Sequence, residues 1–131
     1  MSNQRSKTTR EGCPLQIPRA NVLGVGISAI DMEDAIRESD LLIRESRKGY
    51  VCVTVVHGVI EAQRDLGFRT ILNRSFLTTP DGMPMVWVGH YQGLKRMRRV
   101  YGPDYMMALC GLSLSRGYRH FLYGGREGVV D

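Results

Sequence analysis

Apolar positions along the chain come in short runs whose period switches between two and three to four residues. "NVLGVGISAI" (21–30) is apolar and partly β-branched, which predicts a strand or a strand pair. Asp31 is placed to cap a helix, and "DMEDAIRESDLLIRESRKG" sets Met32, Ala35, Ile36, Ser39, Leu42 and Ile43 on one face. That predicts an amphipathic helix ending near Gly49. "YVCVTVV" (50–56) predicts a buried strand, "HGVIEAQRD" and "FRTILNRS" two helices, and "FLTT" a third strand ending at Pro80. "MPMVWVGHYQG" tolerates Pro84 in the first turn of a helix. "GPDYMMALCGLSLSRG" predicts a further helix with Tyr105, Met106, Leu109 and Leu112 inward. "YRHFLYGG" predicts a fourth strand, and "REGVVD" the start of another helix.

Strands alternating with helices predict an α/β fold with a mostly parallel sheet covered by helices on both faces. Residues 1–20 are polar, basic and unpatterned, and predict a disordered tail; residues 21–131 then form a single domain. A chain that stops at the start of a predicted helix is expected to be the N-terminal part of a longer α/β protein, or an incomplete product. An unfinished sheet edge would favour self-association.

Composition narrows the partners. The 131 residues carry a formal charge of +5, concentrated in Arg5, Lys7, Arg10 and Arg19 and in "KRMRR" (95–99), which favours anionic ligands. Nucleic acid is not expected, since no recognition motif is present and few aromatics are interleaved with the charges. Cys13, Cys52 and Cys110 are widely spaced and form no disulfide framework or zinc motif, which fits a reducing cytoplasm. No run approaches the roughly 20 apolar residues of a membrane span.

Several segments carry candidate chemistry, each with a plainer reading. Gly24, Gly26 and Ala29 loosely fit a dinucleotide fingerprint, but "ISAI" separates them from the cap at Asp31, which is the wrong geometry for an oxidoreductase domain. Gly124, Gly125 and Gly128 in "FLYGGREGVV" suit a diphosphate loop or an ordinary strand-to-helix turn. His57 and Glu61 share a helix face, but no HExxH motif accompanies them and no metal is expected. His57 sits at a strand-to-helix junction, the ligand end of a parallel sheet. "TTPDGMPMVW" (78–87) puts Asp81 at the same end, beside Met83, Met85 and Trp87. There it can serve as a general base, cap the following helix or simply occupy a turn. In "RRVYGPDY", Asp104 can cap a helix, and Arg98 and Arg99 form either a phosphate clamp or a solvated face.

The ordered set "VLGVGISAIDMEDAI", "VTVVHGVIEAQRD", "LNRSFLTTPDGMPMVW", "RRVYGPD" and "FLYGGREGVV" resembles the WecG/TagA/CpsF glycosyltransferases of bacterial cell-surface polysaccharide assembly. The resemblance covers about residues 22–131 and implies a Rossmann-like fold, of which this chain is the N-terminal portion. It implies inverting transfer of a sugar, N-acetylmannosamine or a similar hexose derivative, from a UDP-sugar to a saccharide on undecaprenyl diphosphate. It implies no cofactor and no obligatory metal. Asp81 would be the catalytic base. Thr54, His57, Gly82, Met83, Arg99, Gly102 and Asp104 would bind substrate, and Gly124 and Gly125 would lie near the nucleotide diphosphate. The chain departs from the pattern after Thr54, where Val55 and Val56 replace a small residue or asparagine. The implied location is cytoplasmic, with peripheral contact at the inner face of the membrane. The competing readings are an inactive remnant of such an enzyme and the oxidoreductase domain.

Overall fold

The computed structural model describes residues 17–129. Most of the stretch read as a tail therefore lies outside the described residues, but its last part does not. Strand β1 (Arg19–Val22) already begins at Arg19 and pairs antiparallel with β2 (Val25–Ser28). Leu23 and Gly24 make the two-residue turn, both at positive φ (51° and 86°), a turn whose twist matches that of the flanking strands. The glycine of the loose dinucleotide fingerprint is thus a hairpin residue.

Helix α1 (Met32–Arg44) starts where the sequence predicts, with a reciprocal cap: the Asp34 amide donates to Asp31 and the Asp31 amide to Asp34. It ends five residues before Gly49. Ser46 takes the left-handed conformation at φ 52°, its amide donates to Ile43 and the Arg47 amide to Leu42. This is a Schellman ending built without glycine, so no sequence signal marks it. Along α1, Asp34, Ala35, Glu38, Ser39 and Leu42 are buried, while Ile43, expected inward, is half exposed.

Strand β3 (Val51–Thr54) leads into α2 (Val56–Arg64) and α3 (Leu66–Arg74), and β4 (Leu77–Pro80) returns parallel to β3, pairing Val51 with Leu77 and Thr54 with Pro80. Helices α4 (Met83–Tyr91) and α5 (Gly102–Arg116) complete the described elements. The fold is mixed α/β and compatible with a Rossmann-like arrangement, although each sheet has only two strands. β4 is buried along its whole length and its alternate residues serve different sides. Leu77 packs with Ile30, Ala35, Val100 and Tyr105 under α1 and α5. Thr78 instead bonds Ser75 and Leu72 at the end of α3. A second cluster joins the hairpin residues Ala20, Val25 and Ile27 to Val59, Leu72, Met85 and Met97 of the helical side.

Three further expectations fail. β3 is not a buried strand: Thr54 is buried, but Val53 is 47% exposed, on a face of the two-stranded sheet that the described residues leave partly uncovered. Residues 118–123 form no strand. Helix α5 ends at Gly117 (φ 71°), no strand among the described residues pairs with 118–123, and Phe121 and Tyr123 stand exposed. Side chains, rather than a ladder, tether this stretch, with the Tyr118 hydroxyl donating to Asp40 at 2.6 Å. "REGVVD" likewise contains turns rather than a helix as far as residue 129; its last two residues lie outside the described residues.

Candidate functional site

The end of β4 carries Asp81 to the edge of the parallel pair, where its amide donates to the Thr54 carbonyl of β3 at 3.1 Å and to Thr79 at 3.0 Å. The backbone therefore fixes where the carboxylate begins. Its other end is fixed from far along the chain. The segment 97–100 anchors itself through buried Met97 and Val100. Its backbone lies against two strand ends, the Arg98 amide donating to Ile30 at 3.1 Å and the Val100 amide to Pro80 at 2.9 Å.

That docking delivers two donors to Asp81. The Gly102 amide, the first of α5, reaches Oδ2 at 3.2 Å, and Arg99 reaches Oδ1 at 3.5 Å. The Asp81 side chain is 11% exposed, whereas that of Arg99 is 49% exposed. The Arg99 guanidinium also lies over the Tyr101 ring, 4.8 Å from its centroid. The carboxylate thus caps neither the following helix nor a local turn; it caps a distant one. Neither α4 nor α5 has a side-chain cap from its own N-cap residue, and Asp104 sits inside the first turn of α5 rather than capping it.

Thr54 closes the floor beside Asp81. It is 2% exposed, and its hydroxyl is the one buried side-chain polar atom without a hydrogen-bond partner among the described residues. An orphaned buried hydroxyl costs free energy unless something outside the chain satisfies it. Gly82 adopts φ 150°, a conformation side-chain-bearing residues avoid, and Met83 opens α4 half exposed. At Gly102 a Cβ would press on Val53 Cγ1 at 3.1 Å and lie in ordinary contact with Asp81 Oδ2 at 3.5 Å.

The structure thus brings Thr54, Asp81, Gly82, Arg99 and Gly102 together. His57 lies exposed in the first turn of α2, with no hydrogen bond to this group, and Asp104 is exposed on α5. Gly124 and Gly125 take positive φ (109° and 84°) in an exposed turn and make no hydrogen bond to Asp81. Tyr101 and Val53 escaped the sequence reading, since neither is a reactive residue type and each matters only through a partner brought in by folding.

The basic run 95–99 divides its work. Arg96 pairs with buried Asp34 at 3.4 Å, Arg98 donates to the Lys95 and Met97 carbonyls, and Arg99 serves Asp81. A cavity of about 330 Å³ lies along the Asp34 side of this run, lined by Ile30, Asp34, Glu38, Leu94 and Arg96; its lining does not include Asp81. Among the described residues no three His, Cys, Asp or Glu side chains converge as a metal site would need. No helix among them is long and apolar enough to cross a membrane. Cys52 and Cys110 are free and half buried, and burial pushes the Cys52 thiol up from its ordinary value.

Residues 20–131 match the profile of the Glycosyl transferase WecG/TagA/CpsF family. Comparison with curated proteins gives no match.

Proposed function

The chain belongs to the WecG/TagA/CpsF glycosyltransferase family, whose members build cell-surface polymers from nucleotide-sugar donors and polyprenyl-linked acceptors, and from that premise we propose that Asp81 is the general base of the transfer. The observation that carries the reading is the position of Asp81. It stands at the carboxyl end of a parallel strand, with one oxygen held by the Gly102 amide and the other by Arg99. A carboxylate met by an amide on one oxygen and a guanidinium on the other is restrained in orientation, which is what a positioned proton acceptor needs.

In the proposed reaction the donor is a UDP-sugar, N-acetylmannosamine or a similar hexose, and the acceptor is a saccharide on undecaprenyl diphosphate. The acceptor hydroxyl oxygen attacks the anomeric carbon from the face opposite the nucleotide, and Asp81 takes its proton. The bond from the anomeric carbon to the diphosphate oxygen breaks with its electron pair, UDP leaves, and the configuration inverts. Arg99 spends only one of its donors on Asp81 and offers others to the departing diphosphate. The unpartnered Thr54 hydroxyl is buried in this structure and would have to be uncovered before bonding a substrate hydroxyl. Gly82, Met83, Gly102, His57 and Asp104 are assigned to the approach, and Gly124 and Gly125 to the neighbourhood of the diphosphate. We infer that the reaction takes place at the inner membrane face, where a cytoplasmic donor and a membrane-anchored acceptor would meet.

The test is transfer from a radiolabelled UDP-sugar to a lipid-diphosphate acceptor by the wild type and Asp81→Asn. The substitution should lower turnover by about 10²–10⁴-fold, the usual contribution of a positioned base. Equal turnover would remove Asp81 from the role.

A further inference from the structure

Arg99 meets Asp81 through a single long contact of 3.5 Å, and half of its side chain is in solvent. An arginine in that situation is not held by its ion pair alone, because an exposed pair contributes little against side-chain entropy. What holds it is the ring two residues later. Residues 98–100 are extended and fastened to Ile30 and Pro80, so the outward side chains of Arg99 and Tyr101 lie side by side while Val100 is buried between them. The guanidinium stacks on the Tyr101 ring at 4.8 Å. Tyr101 is also the N-cap residue of α5, directly before the Gly102 amide that binds the other carboxylate oxygen. The backbone that places the ring therefore also places the second donor.

We propose that Tyr101 is a positioning residue for the transfer reaction: its ring holds the Arg99 guanidinium against Asp81, so that the carboxylate is gripped from both sides. The inference rests on the proposed role of Asp81. Tyr101 itself makes no hydrogen bond to Asp81. Its contribution passes entirely through Arg99, which makes it separable from a general effect on folding.

The experiment compares wild type, Tyr101→Phe, Tyr101→Leu, Arg99→Ala and the double variant Tyr101→Leu/Arg99→Ala. Two measurements are made on each. The first is the NMR signal of the Arg99 Nε–Hε group, which a stacked ring displaces upfield without any need for turnover. The wild type and Tyr101→Phe should show the displacement and Tyr101→Leu should lose it. An unchanged Arg99 signal in Tyr101→Leu would overturn the proposal. The second is the transfer assay with thermal melting alongside. Tyr101→Leu should lower kcat by about three- to fivefold, the scale of an exposed cation–π contact, with donor KM little changed. Tyr101→Phe should restore kcat, and the Tyr101 substitution should have no further effect once Arg99 is alanine. Independent, multiplying losses in the double variant would also overturn it. Should Asp81→Asn retain full turnover while the Arg99 signal behaves as described, the stack stands and the base assignment falls.

Discussion

Gly102 and Asp81 are 21 residues apart, and the amide of one donates to the carboxylate of the other at 3.2 Å. One bond therefore satisfies an orphan N–H of α5 and orients the candidate base. Structure and chemistry share the same carboxylate, and the consequences can be measured separately.

Gly102→Ala adds a Cβ 3.1 Å from Val53 Cγ1 and 3.5 Å from Asp81 Oδ2. Val53 is 47% exposed and has room to move, so stability should change by no more than about 1 kcal/mol. The contact with the carboxylate oxygen is an ordinary one, so Val53 gives way and turnover should stay within about threefold of the wild type. Urea denaturation and the transfer assay on the same protein check this; a loss of turnover of about tenfold or more in a stably folded variant would count against it.

Thr54→Val replaces a buried, unpartnered hydroxyl by a methyl of similar size. Removing an unsatisfied donor should raise stability by about 1 kcal/mol. If the hydroxyl serves a substrate, the same variant should bind donor or acceptor less tightly. A stabler protein with weaker substrate binding is the expected pair of results, read by thermal melting and by the KM values.

Arg19 ties the hairpin to the end of β4, donating to Gly26 at 3.2 Å, Phe76 at 3.2 Å and Thr78 at 3.3 Å, and also to the Ser75 carbonyl. Arg19→Met keeps much of the stem and removes every donor. The stranded acceptors should make the variant about 2–3 kcal/mol less stable in urea. A cost near zero would mean that water replaces the guanidinium.

Asp34 sets a pH dependence. Burial pulls its carboxyl up, but hydrogen bonds from Arg37 and the Asp31 amide, with the charges of Arg37 and Arg96, outweigh burial and leave it below the ordinary aspartate value. A depressed carboxyl contributes stability above its unfolded value, about 3.9, and loses it as pH falls through that value toward the folded one. The stability gap between wild type and Asp34→Asn should therefore be widest near neutral pH and shrink below pH ~4. Urea midpoints across that range decide it; a gap independent of pH would mean that the charge of Asp34 carries none of the effect.

Much of the scaffold was legible because its causes are local. Asp31 announced α1 through a cap completed three residues later, and the apolar run "FLTT" before Pro80 announced β4 and left Asp81 at the strand's end. Local signals failed where the cause lay elsewhere. Ser46 ends α1 in a conformation usually given to glycine, so Gly49 drew the boundary too late. The apolar run of 121–123 before a double glycine predicts a strand, but a strand exists only when a neighbour pairs with it.

The candidate site divides along the same line. The sequence by itself determined that a carboxylate would stand at a strand end beside a half-apolar approach, because periodicity and proline act within a few residues. Only the tertiary structure decided what grips it. Arg99 and Gly102 reach Asp81 because Arg98 and Val100 dock on Ile30 and Pro80, and Tyr101 matters because that docking aligns it with Arg99. Contacts between residues some twenty positions apart depend on which backbone groups find partners across the fold, and no local pattern records that choice.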